Sequence, residues 1–147
     1  MPDQATEQIL IKASPKRCYE VASNIEAYPE WIGDMKAVIV LERDDEGRPL
    51  ETEFRAAAFG KSTSYTLRYD YSSSPNRLSW SLTASDLLDH LEGTYDFELA
   101  SGGACTVTYH LEAALKVPIP SFVKSRAEHR IRATALRELK ARVESTS

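Results

Sequence analysis

His129 and Arg132, in the last quarter of the chain, are of types that move protons and hold anions. An imidazole changes charge near neutral pH and can pass a proton. A guanidinium stays charged and fits a carboxylate or an enolate oxygen. Both share a helical face with Leu136, Leu139 and Val143, which recur at i, i+3 and i+7. Projected backwards, that stripe runs through Arg132, His129, Ser125 and Phe122. A face that is apolar at one end therefore turns polar at the other. One reading places both side chains on a cavity wall. The other places them at the solvent end of the helix, with Arg132 paired to a strand carboxylate such as Glu53. The residues alone leave the two readings level.

A second group of candidates is aromatic. Tyr69, Trp80, Tyr95, Phe97 and Tyr109 alternate onto one face of successive strands, and Phe54 joins them from the strand over Glu51–Phe59. Rings on one face of a sheet are mostly core. Several buried phenols together, each needing a partner, point to a partly polar interior. The other ionisable groups are less suggestive. His110 alternates onto the wet face, His90 lies near a connection, and Asp86 and Asp89 are too isolated to work as a pair. Cys18 and Cys105 have no CxxC or histidine-rich spacing around them and read as two reduced, partly buried thiols. No Ser/His/Asp set, glycine-rich phosphate loop or metal cluster is present, so no metal and no cofactor are expected.

The elements that must position these residues follow from the pattern. Thr6–Lys12 reads as a first strand. Ser14 caps a helix with Pro15 at its first position, and Asn24 can cap a second short helix. Pro29 should push Tyr28 out of helical geometry, making Tyr28–Trp31 a sharp corner or a fresh first turn. From Lys36 the period becomes two. Strands are expected over Ala37–Leu41, Glu51–Phe59, Ser62–Ser72, Leu78–Thr83, His90–Leu99 and Cys105–Leu115. Turns fall at Asp44–Gly47, Gly60–Lys61, Ser73–Asn76 and Ser101–Gly103, with a looser link over Asp86–Asp89. Short links imply an antiparallel meander, apolar on one face. One long helix, from about Ser121 to about Glu144, closes the chain after Pro118 and Pro120. A curved sheet with one helix laid across it should leave a gap, and such gaps hold apolar small molecules.

The chain has 147 residues and reads as a single domain, 1–147, large enough for a substantial core. No apolar run approaches the ~20 residues that cross a bilayer, and Met1–Gln4 lack a signal-peptide pattern, so a cytoplasmic location is expected. The net charge of −4 is uneven. Residues 1–115 hold 10 Lys+Arg against 19 Asp+Glu, and residues 116–147 hold 8 against 3. Such a basic terminal helix can be a plain solvated face or can meet a membrane surface or an acidic protein. Nucleic acid is disfavoured by the acidic isoelectric point.

In this order of elements, Ser14-Pro15 precedes the first helix and Tyr28-Pro29-Glu30-Trp31 ends the second. Gly93-Thr94-Tyr95-Asp96-Phe97 lies in a late strand, and Leu136, Leu139 and Val143 mark the last helix. On these features the chain resembles the START-like (SRPBCC) superfamily, and within it the bacterial polyketide cyclase/dehydrase and coenzyme Q-binding branch. The resemblance covers nearly the whole sequence. It implies an α+β helix-grip fold: a seven-stranded curved antiparallel sheet around one long C-terminal helix, with two short helices after strand 1. It implies binding or transfer of a hydrophobic molecule (a lipid, an isoprenoid quinone or a polyketide) by a monomer or homodimer. The rival expectations are an aromatase/cyclase using His129, Arg132 and cavity tyrosines, and a docking module using the basic helix. The expected ligand-binding set is Phe54, Tyr69, Trp80, Tyr95, Phe97, Tyr109, Phe122, Ser125, His129 and Arg132.

Overall fold

The side chain of Ser14 accepts a hydrogen bond from the Arg17 amide at 3.1 Å, and Pro15 sits at the first helical position, so α1 (Pro15–Ser23) starts where the sequence says it should. A 3₁₀ helix over Ile25–Glu30 follows directly. Here the expectation fails in two details. Asn24 makes no side-chain cap, and Tyr28 and Pro29 continue the 3₁₀ turns begun at Ile25 rather than making a corner or a fresh first turn. Proline's fixed φ suits a 3₁₀ turn, and in so short a run its missing N–H removes at most one hydrogen bond.

The computed structural model describes residues 4–58, 61–116, 118 and 120–145. Seven strands alternate apolar and polar residues: β1 (Gln4–Ile11), β2 (Met35–Arg43), β3 (Pro49–Ala58), β4 (Lys61–Asp70), β5 (Arg77–Ser85), β6 (Leu88–Leu99) and β7 (Cys105–Leu115). They form one antiparallel sheet in the order β1-β7-β6-β5-β4-β3-β2. Strands β2 to β7 are a plain meander, and β1 returns to pair with β7. The looser link at Asp86–Asp89 is shorter than expected, because Asp89 already belongs to β6. Phe59 and Gly60, expected at a strand end and turn, lie outside the described residues.

The long helix α2 (Ser121–Ser145) packs on β1, β7 and α1. Leu136, Leu139 and Val143 are buried there with Ile11, Val107 and Leu111. Polar ties fix this end of the helix. Glu138 accepts from the Gly33 amide at 2.9 Å, Lys140 donates to the Leu10 carbonyl at 3.0 Å, and Glu144 accepts from the Lys12 amide at 3.0 Å. Arg142 reaches Glu30 at 3.0 Å. The helix therefore runs along β1 in the same direction, with its C-terminal half clamped. Cys18 and Cys105 are free and fully buried. Burial pushes the Cys18 thiol up to about 12, with Cys105 beside it adding to the shift.

Candidate functional site

The rings expected on one face do share it. Phe54, Tyr69, Trp80, Tyr95, Phe97 and Tyr109 are all buried on the side of the sheet that faces α1 and α2. They touch in a chain. Trp80 lies 5.9 Å from Tyr69, 5.2 Å from Tyr95 and 6.0 Å from Tyr109, and Tyr95 and Tyr109 are 4.8 Å apart. Gly93 stands opposite Trp80 on the neighbouring strand. A Cβ at residue 93 would fall 2.3 Å from the indole, so glycine is what lets the indole lie flat across β6.

These rings line the face of the sheet above which a gap beneath the helix was expected. Two hollows outlined by described residues lie elsewhere. One is an open groove of about 500 Å³ over Arg48, Arg68 and Asp70. The other is a small recess of about 90 Å³ beside Arg17, Glu20 and Arg142.

Arg132 is the most informative side chain in this region. It is 5% exposed, and its Nε and Nη1 atoms are buried with no hydrogen-bond partner. It is not paired with Glu53, which instead faces Arg55 at 3.6 Å. Its charge is felt at Tyr109, where burial holds the phenol well above its ordinary pKa and the guanidinium pulls the other way. Burial likewise keeps the Tyr95 phenol protonated far above the usual range. The interior thus combines stacked rings, protonated phenols and an uncompensated cation. That arrangement can bind a flat or flexible apolar body and hold one anionic or enolate oxygen.

The rest of the expected stripe departs from the inner face. His129 is exposed, and its Nδ1 lies 2.7 Å from a Glu7 carboxylate oxygen on β1. Phe122 is 68% exposed and Ser125 is exposed. The buried neighbour of Arg132 on the preceding turn is Glu128, 1% exposed, which Lys124 holds at 3.2 Å. Sequence reasoning missed Glu128 because stepping back three or four residues from Arg132 lands equally near the centre of the face at 100° per residue. Only the lean of the helix against β1 selects one of them. Thr52, fully buried with its hydroxyl oxygen unpartnered, was missed too. Its inward place follows from alternation with Phe54. His110, expected to be solvent-facing, is partly exposed and bonded to Thr6. Among the described residues no group of three or more His, Cys, Asp or Glu is placed to hold a metal. No helix among them is long and apolar enough to cross a membrane.

A seven-stranded sheet gripping a long C-terminal helix, with two short helices between β1 and β2, is the helix-grip fold of the START-like superfamily. Residues 2–144 match the model for polyketide cyclase / dehydrase and lipid transport proteins, and the chain belongs to that family. Solved structures agree at the level of the fold. A START superfamily protein from Mycobacterium smegmatis superposes with a TM-score of 0.92 at 20% identity, covering 98% of this chain and 99% of that one. A protein from Thermus thermophilus matches at 0.85 and 21% identity, over 99% of each chain. The Zhui aromatase/cyclase from Streptomyces sp. R1128 matches at 0.85 and 10% identity, over 98% of this chain and 94% of that one. No curated protein matches the chain.

Proposed function

We propose that this protein binds a hydrophobic small molecule bearing an acidic or enolate oxygen, between the aromatic face of the sheet and the first half of α2. The observation that carries the reading is the guanidinium of Arg132, buried against tyrosines with two nitrogens unpartnered. Burying a charge without a partner is costly, and the cost is recovered if a ligand supplies the missing acceptor. The rings would part to admit the ligand, stacking on its body while Arg132 takes its oxygen. The family's lipid and polyketide members fit this chemistry, since fatty acids and poly-β-keto chains both pair an apolar body with an acidic oxygen. Binding is preferred to turnover, because the imidazole that a cyclase could use as a base is spent on Glu7 at the exposed flank. A cyclase built on this interior would have to draw its proton from Tyr95 or Tyr109.

Titration with oleic acid against methyl oleate, and with 2-naphthoic acid against its methyl ester, tests the reading. Wild type should prefer the acid of each pair. Arg132→Leu should weaken the acids about 10- to 100-fold, as expected for a hydrogen bond to a charged group, and leave the esters unchanged. Equal losses for acid and ester, or no binding of either acid by wild type, would overturn it. His129→Ala should alter neither.

A further inference from the structure

The outward face of the first turns of α2 is unlike the rest of the surface. Phe122 and Val123 are exposed there, at 68% and 42%. Arg126 and Arg130 are exposed as well, and no ion pair reaches either among the described residues. At 100° per residue these four lie within one ~100° sector: Phe122 stands at the edge of the Leu136, Leu139 and Val143 stripe, and Arg126, Arg130 and Val123 turn progressively away from it. Arg137, also exposed, extends the sector by two more turns. Across residues 121–137 the only carboxylate is Glu128, and it is buried beneath Lys124. The exposed surface of this stretch is therefore basic with an apolar tip, on a protein whose first 115 residues carry a net charge of −9, from 10 basic and 19 acidic residues.

We propose that this face docks on an anionic lipid bilayer. A bilayer matches both halves of the patch. Phosphate headgroups complement Arg126, Arg130 and Arg137, while Phe122 and Val123 enter the boundary between headgroups and acyl chains. An acidic soluble protein would satisfy the arginines, but nothing in such a partner requires a bulky exposed phenylalanine beside a valine at the helix start. In the docked state the helix lies with its outward face in the interface plane and the sheet, acidic overall, points away from the anionic surface. Docking does not depend on the ligand reading, since the arginines that contact lipid are on the opposite face from Arg132.

Cosedimentation of the ligand-free protein with phosphatidylcholine vesicles, with and without 40 mol% phosphatidylglycerol, tests docking. The mixed vesicles should bind at least tenfold more tightly, and the difference should shrink as salt rises. Each of Arg126→Gln and Arg130→Gln should lower partitioning about fivefold, which is the ~1 kcal/mol expected per basic residue near an anionic surface. Phe122→Ser should weaken binding to mixed vesicles and reduce what survives at high salt. All three positions are exposed, so a thermal melt unchanged from wild type separates lost docking from lost folding. Wild type that ignores anionic vesicles, or that binds them equally after both arginine replacements, would overturn the proposal. Binding to an acidic protein without vesicle binding would also overturn it.

Discussion

The two halves of α2 share one helix and one sequence period, yet they do different work. In the C-terminal half, Leu136, Leu139 and Val143 are buried, and Glu138, Lys140, Arg142 and Glu144 tie the helix to the backbone or side chains at residues 33, 10, 30 and 12. In the N-terminal half the buried positions are Glu128 and Arg132, while the apolar Phe122, Val123 and Ile131 are in solvent. The partner strand changes in step: the inner face of β1 runs from Ile11 through Ile9 to Glu7, which meets His129. One half is built for stability, with apolar groups inside and charges satisfied. The other inverts that rule. Local rules broken together, with a stable region next door to offset the cost, mark a place kept for function.

The strongest test of the division is a matched pair of truncations. Leu139→Ala should cost about 2–5 kcal/mol in urea unfolding, since a fully buried leucine leaves a cavity. Phe122→Ala should stay within about 0.5 kcal/mol, as for an ordinary exposed site. Comparable losses at both positions would erase the contrast.

Next in size, Arg132→Leu should raise the stability of the ligand-free protein by about 1–3 kcal/mol, because it removes an unpartnered buried cation and adds apolar volume. A loss of stability would mean that the guanidinium is satisfied in the resting fold and is not waiting for a ligand.

Alkaline titration sharpens the description of the surface beneath the helix. Burial pushes Tyr65 up to about 12 and holds Tyr28, Tyr69, Tyr95 and Tyr109 well above their ordinary value. In the unfolded chain these phenols ionise near pH ~10. Their protonated form is favoured by the fold, so stability should be full below pH ~10 and fall as pH rises from there through about 12. The slope should approach about 1.4 kcal/mol per pH unit for each phenol involved. Tyrosinate absorbance should rise together with loss of the far-ultraviolet signal. Tyrosinate forming in a protein that stays folded would put these rings in contact with water.

The smallest effect concerns the contact between the halves and β1. His129→Ala removes an exposed pairing with Glu7 and should change stability by about 1 kcal/mol or less, measured as a shift in the urea midpoint. A larger loss would make His129 part of the clamp that holds the C-terminal half.

Much of this molecule could be read before folding. Alternation in strands such as Tyr65–Tyr71 and Leu91–Leu99, the Ser14-Pro15 start and the Leu136/Leu139/Val143 stripe depend on neighbours one to seven residues apart. Their periods survive into the structure because each strand or helix imposes its own geometry. The inward facing of Phe54, Tyr69, Trp80, Tyr95, Phe97 and Tyr109 followed from that, as did the meander from β2 to β7 and the closing helix.

Tertiary structure alone decided the rest. That Arg132 is buried without a partner while His129, three residues away, bonds Glu7 depends on how α2 leans across β1, a contact between residues more than a hundred positions apart. That the rings of four adjacent strands meet one another depends on the curvature of the sheet and the reach of side chains from separate strands. That Phe122 and Ser125 are exposed depends on which distant elements pack against the start of α2. Sequence period assigns a residue to a face, but whether anything covers that face is set by packing between distant elements, and local spacing carries no record of it.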